Sequence, residues 1–231
     1  MNPTSPLTHR RPLEGLTAVE FTHMVMGPTV GLILADLGAK VTKIEPLGGD
    51  KTRQLKGSGA GYFPMYNRNK RSLSLDLKSE EGLEIARRLI AETDILVENF
   101  RPGALDKLGL DYGCLSARQP NLIYCSLKGF LSGPYENRVA LDEVTQMMGG
   151  LAYMTGPPGQ PLRAGSSVID VTGGLFGVIG ILAALREREL TGHGCHVTSS
   201  LFETTAFLVG QHMAQEVVSG SPPPPMPGLI I

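Results

Sequence analysis

One acidic residue stands where its type and position could do chemistry. Asp170 opens a long apolar, glycine-dotted segment in "AGSSVIDVTGGLFGVIGILAALRERELTGHG" (164–194). A carboxylate at a helix start can cap it by accepting backbone N–H groups. The same terminus favours the ionised form, and an ionised carboxylate is also what a nucleophile must be. The small residues around it, "AGSS" before and "TGG" after, leave room for a ligand or for close helix packing. Position alone favours the cap, and these residues leave both roles open.

The remaining candidates are weaker. "YNRNKRSLSLDLKS" (66–79) sets Arg68, Lys70, Arg71 and Lys78 around a strand. Charge alone reads this as a solvated edge with guarding cations, and the alternative is a phosphate site. "HGCH" offers His193, Cys195 and His196, but strand alternation would oppose His196 to the other two, and no second ligand cluster completes a metal site. His23 by itself reads as a packed or ligand-lining histidine.

The elements that must hold these residues alternate. "LTAVEFTH" (16–23) predicts a strand, and Gly27–Pro28 open a helix closed by Gly38. "AKVTKIE" (39–45) predicts a second strand and completes a βαβ unit. "RSLSLDL" (71–77) alternates, with Leu73, Leu75 and Leu77 on one face. Ser79 is the expected N-cap of "EEGLEIARRLIAET", with Glu80 and Glu81 at the positive end of its dipole. "DILVENF" (94–100) and "NLIYCSLKGF" (121–130) add two more strands. The fold class predicted is α/β, a Rossmann-like, largely parallel sheet flanked by helices. Ligands of such sheets bind at the carboxyl ends of the strands, here "THMVMGP", "IEPLGGD", "ENFRPG" and "KGF". The first turn lacks GxGxxG, which argues against NAD.

Composition limits the partners. Lys and Arg number 21 against 22 Asp and Glu, so a duplex nucleic-acid surface is not expected. Cys114, Cys125 and Cys195 are too few and scattered for a disulfide framework. The first residues carry no apolar stretch of a secretory signal, and the apolar run 175–185 reads as too short for a bilayer. These features predict a soluble, cytoplasmic protein without a membrane partner. "SPPPP" near the end predicts an extended linker. The expected organisation is a large domain over 1–220 and a proline-rich linker over 221–231, leading towards a smaller domain missing from the chain.

Seven stretches in order resemble the class III CoA-transferases, the family of formyl-CoA transferase, α-methylacyl-CoA racemase and the carnitine CoA-transferase relatives. They are "PLEGLTAVEFTHMVMGP", "LADLGAKVTKIEPLGGDKTR", "NRNKRSLSLDLKSEEG", "DILVENFRPGALDKLGLDY", "SLKGF…GP", "LDEVTQMMGGLAYMTG" and "IDVTGGLFGVIGILAALRERELTGHG". The resemblance implies a coenzyme A-binding large domain, a second domain, an interlocked homodimer, and acyl-CoA with a small carboxylic acid as substrates. It implies that Asp170 is the nucleophile and that no metal or redox cofactor is needed. Coenzyme-binding positions implied by motif are His23, Val25 and Met26; Leu75 and Lys78; Asn99, Phe100 and Arg101; and Lys107 and Arg138.

Two departures bear on the reaction. The racemase branch has a histidine before the aspartate of "ALDEV", and this chain has Leu141. Racemisation needs two acid/base groups, so transfer ranks above it. The formyl-CoA transferase branch has a glutamine where Val25 stands, which predicts a larger or less polar acyl group than formyl or oxalyl. The implied activity is CoA transfer from an acyl-CoA to a carboxylic acid through a covalent aspartyl intermediate. The rival readings are an acyl-CoA racemase or isomerase, and a non-catalytic coenzyme A-binding fragment or partner subunit.

Overall fold

The computed structural model describes residues 10–225. Most of the N-terminal stretch read for a secretory signal, and residues 226–231 of the proline-rich tail, lie outside them. Six strands form one sheet: β1 Thr17–Phe21, β2 Lys40–Glu45, β3 Arg71–Ser74, β4 Ile95–Glu98, β5 Ile123–Lys128 and β6 His196–Ser200. Their order is β3-β2-β1-β4-β5-β6, and every pairing is parallel. The helices are α1 Met26–Asp36, α2 Tyr62–Tyr66, α3 Glu80–Ala91, α4 Tyr112–Ser116, α5 Asp142–Met148, α6 Leu151–Thr155, α7 Val168–Thr191 and α8 Leu201–Ser219. This is the doubly wound order. The direction of winding reverses between β1 and β4 and leaves a crevice beyond their carboxyl ends.

Both faces of the sheet are buried, as all-parallel sheets require. Ala18, Val41, Ile95, Ile123 and Cys125 pack with Val30 and Leu34 of α1 and Val178 and Ile181 of α7. Their strand neighbours Val19, Ile44, Leu96 and Tyr124 turn to the other side, against Ala86 and Ile90 of α3 and Leu115 of α4. The predicted cap of α3 is present, with Ser79 Oγ accepting the Gly82 N–H at 3.0 Å. α1 starts at Met26, so Pro28 sits in its first turn, where a missing N–H costs nothing. β3 ends at Ser74, three residues short of the predicted end, because Asp76 accepts the Lys78 N–H at 3.0 Å and turns the chain towards Ser79.

α7 runs for 24 residues, so the apolar run 175–185 is part of a longer helix that by length and composition alone could cross a membrane. In the fold Ile169, Val178, Ile181, Ala184 and Leu185 of this helix are buried in the core. Its glycines bring it close to α1. A Cβ on Gly174 would lie 2.9 Å from the Met26 carbonyl and from Thr29 Cβ.

The basic stretch also needs correction, since Lys70 belongs to neither a solvated edge nor a phosphate site. Its ammonium is buried, 2.8 Å from Glu20 Oε1 and 2.8 Å from the Pro28 carbonyl, while Arg68 pairs with Asp36 at 2.7 Å. In the "HGCH" segment, His193 Nδ1 lies 2.9 Å from the Thr191 carbonyl and His196 Nε2 lies 2.9 Å from Ser126 Oγ.

Candidate active site

A cavity of about 360 Å³ opens at the carboxyl ends of β1, β4 and β5, with Asp170 in its wall. Its floor is built by loops tied to one another. Asn99, just after β4, accepts the His23 N–H at 3.0 Å and donates to the His23 carbonyl at 2.9 Å, clamping the loop after β1. Met24 takes a left-handed backbone, φ 62°, and its N–H donates to Thr52 Oγ1 at 3.2 Å. A β-carbon at positive φ is strained, so the flanking bonds hold this turn in place. The His23 ring lies against Phe100, centroids 5.9 Å apart, and burial lowers its pKa.

Below the floor lies a cluster of buried charges. Lys43 Nζ donates to the Thr22 carbonyl at 2.6 Å and lies 3.2 Å from Asp50 Oδ2 and 3.7 Å from Glu20 Oε1. Glu45 accepts from Arg53 Nε and Nη2, both at 2.7 Å, from Ser72 at 2.7 Å and from the Asp50 N–H at 2.7 Å. Burial pushes the Glu45 carboxyl up, but these donors and the Arg53 charge outweigh it and hold its pKa at about 2. The cluster fixes the loops after β1 and β2 without offering charge to a ligand.

Asp170 is the third residue of α7, not its cap. It is half-buried and lines the cavity. Burial first, then the charges of Asp142 and Glu143, raise its pKa to about 7, with Arg163 acting in the opposite direction. The expectation that the helix terminus keeps it ionised is therefore corrected: desolvation and like charge dominate here. Around it stand cations at different distances from commitment. Lys128 is bound to Glu98 at 2.6 Å and to the Phe100 carbonyl at 2.9 Å. The Arg138 guanidinium covers the Tyr135 ring at 4.4 Å, and Arg163 lies 3.7 Å from Glu143. Arg101 is exposed at the rim.

Of the residues singled out from the sequence, His23, Met26, Asn99, Phe100, Arg101 and Arg138 line the same cavity as Asp170. Four do not. Val25 is buried at the start of α1, and Leu75 is buried in the core beside α3. Lys78 is exposed in the turn before α3, and Lys107 is exposed in a short 3-10 turn, Asp106–Leu108. The cavity adds Tyr62, Lys128, Asp142, Glu143, Arg163 and Ser167, which the sequence reading missed. Lys128 carried a signal, since "KGF" stood among the strand ends. Arg163 and Ser167 lie only three to seven residues before Asp170 in sequence.

Comparison with known proteins decides the family. The family model described as "CoA-transferase family III" matches residues 13–229. The chain belongs to CoA-transferase family III. It is 38% identical over 225 residues to a succinate–glutarate CoA-transferase of Agrobacterium fabrum, a match covering 92% of this chain and 56% of that protein. It is 43% identical over 216 residues to an acetyl-CoA:oxalate CoA-transferase of Acetobacter aceti, covering 90% of this chain and 56% of the relative. A crystal structure of a CAIB/BAIF family protein from Brucella suis superposes with a TM-score of 0.89 at 42% identity, over 94% of this chain and 60% of that one. The chain thus spans about half the length of the family III relatives it matches.

Proposed function

We propose that this family III chain carries the coenzyme A-binding half of an acyl-CoA:carboxylate CoA-transferase, with Asp170 as nucleophile. One observation carries the reading: a half-buried carboxylate on the first turn of α7 faces a cavity at the carboxyl edge of a parallel sheet, the edge at which such sheets bind ligands. Arg101 and Arg138 at that cavity suit the phosphates of coenzyme A. Lys78 and Lys107, further along the same edge, belong to the proposal as contacts for its nucleotide end.

The chemistry balances without an external reagent. The Asp170 carboxylate attacks the thioester carbonyl carbon; the C–S bond breaks, and the thiolate leaves with the electron pair. The aspartyl–acyl anhydride is then attacked at its aspartyl carbonyl by the thiolate, releasing the donor acid as a carboxylate. The acceptor carboxylate attacks the aspartyl thioester, forming a second anhydride and freeing the thiolate again. Thiolate attack on the acceptor acyl carbon gives the new acyl-CoA and returns Asp170 as a carboxylate. Covalent catalysis of this kind divides one exchange into easier steps and keeps the thioester's energy. The second domain and the interlocked homodimer implied by the resemblance are part of the same proposal. So is a carboxylic acid acceptor, which the names of the relatives support.

Racemisation is the weaker reading. Leu141, beside Asp142 in the cavity wall, supplies no second acid/base group. The test is mass spectrometry of the chain after incubation with succinyl-, acetyl- and formyl-CoA and an acid quench, with Asp170→Ala alongside. An acyl or CoA adduct on the Asp170 peptide, missing from the alanine variant, is expected. A folded chain that gives no adduct with any donor, alone or with added acceptor acid, would turn the assignment to a non-catalytic coenzyme A-binding piece.

A further inference from the structure

The first turn of α7 is held from outside the helix. Ser167 occupies the N-cap position, yet its side chain makes no cap bond. The Ile169 and Asp170 N–H groups donate instead to Asp142 Oδ2 of α5, at 2.7 and 3.0 Å. The other oxygen of Asp142 receives a hydrogen bond from Gln146 Nε2, one turn further along α5. Gln146 Oε1 in turn accepts the Ala164 N–H at 2.7 Å. Each link fixes the direction of the next. Because Gln146 presents its oxygen to a backbone N–H, its amide nitrogen must face Asp142. Asp142 then meets three donors, two on Oδ2 and one on Oδ1, a pattern that suits the acceptor oxygens of a carboxyl group. Both side chains are buried, so bulk water does not compete for these bonds.

We propose that Asp142 is the positioning residue for Asp170: its carboxyl group, accepting the Ile169 and Asp170 N–H groups, fixes the first turn of α7 and stands beside the group that faces the cavity. Its catalytic meaning rests on the reading of Asp170 as nucleophile. The titratable groups facing Asp170 come from three elements: Asp142 and Glu143 on α5, Arg163 on the segment entering α7, and the Tyr66 phenol on α2. Behind burial, Asp142 is the strongest of the influences that raise the pKa of Asp170 to about 7. Tyr66 is raised as well, by burial and then by the charge of Asp170. A carboxylate of raised basicity is, once ionised, a stronger nucleophile than an ordinary one. Asp142 thereby couples the place of the group to its reactivity.

Carbon-13 carboxyl NMR of the full chain tests this. The titration of Asp170 is followed in wild type, Asp142→Asn and Glu143→Gln. In Asp142→Asn the proton affinity of Asp170 is expected to fall about tenfold or more, and in Glu143→Gln by less. A purely structural cap would leave the midpoint where it was, and an unchanged midpoint in Asp142→Asn overturns the proposal. Should that variant fail to fold, amide hydrogen exchange of the wild type decides. First-turn amides of a helix have no intrahelical acceptor, so the N–H of the half-buried Asp170 is expected to be protected only if Asp142 holds it. Exchange at the rate of solvent-exposed amides overturns the proposal. Neither readout depends on acyl transfer, so a missing adduct on Asp170 sinks the functional reading while leaving this one decided on its own result.

Discussion

Lys70 Nζ lies 2.8 Å from Glu20 Oε1, and neither side chain keeps more than 2% of its surface in solvent. The pair joins the segment before β3 to the carboxyl-terminal part of β1, and Lys43 shares the same carboxylate at 3.7 Å. Removing one partner of a buried ion pair strands the other charge in a medium that cannot solvate it. Lys70→Met is expected to destabilise the chain by about 3–5 kcal/mol in urea unfolding. A cost under about 1 kcal/mol, as for an exposed pair, would show that the cluster is not buried in solution.

Asp170 imposes a cost that its removal should reveal. Its folded pKa, about 7, lies above the ordinary 3.8, so the folded state binds the proton more tightly than the unfolded chain. The stability this group contributes is complete below about pH 4 and is lost as pH rises through about 7. Asp170→Asn is expected to raise stability by about 1–3 kcal/mol at pH 8 and to give no gain near pH 4. Paired urea titrations at the two pH values check the sign. A variant less stable than wild type at pH 8 would mean that the carboxylate is favourably placed when ionised.

Glu45 gives the opposite sign. Its folded pKa of about 2 lies below the ordinary 4.5, so its contribution is present above about pH 4.5 and is lost as pH falls towards 2. Glu45→Gln is expected to melt several degrees lower than wild type at pH 7, with the gap closing as the pH approaches 2. The same change frees Arg53, which covers the Phe63 ring at 3.8 Å, and loosens the turn carrying Thr52 and hence Met24. Coenzyme A binding should therefore weaken along with stability, measured by calorimetry at pH 7.

What the sequence reveals and what it hides divide by range. The β1–α1–β2 unit and the α3 cap were legible because alternation, the Gly38 stop and Ser79 with two following glutamates are all local signals. The burial of Lys70 was not, because its partner Glu20 lies 50 residues away on another strand. The true cap of α7 was hidden for the same reason, since Asp142 precedes Asp170 by 28 positions and no rule of spacing links them. Lys128 and Arg163 were not singled out, because only the folded chain brings their segments to one cavity. The raised pKa of Asp170 was missed because the helix terminus is a local feature, whereas burial and the Asp142 charge come from tertiary packing.

Two glycines in helices should respond to the same substitution with opposite sign. A Cβ on Gly174 of α7 would lie 2.9 Å from the Met26 carbonyl and from Thr29 Cβ, a contact too tight to keep without moving α1. Gly210 of α8 has nothing within 4 Å of the same position. Alanine is the better helix former by about 1 kcal/mol, and Gly210→Ala should gain about that amount. At Gly174 overpacking costs about 1–3 kcal/mol and outweighs the gain. Because Met26 both opens α1 and lines the cavity, Gly174→Ala should also weaken coenzyme A binding, and Gly210→Ala should leave it unchanged. Equal affinity in the two variants would mean that α1 and α7 can separate without disturbing the cavity wall, and that their close packing does not shape the site.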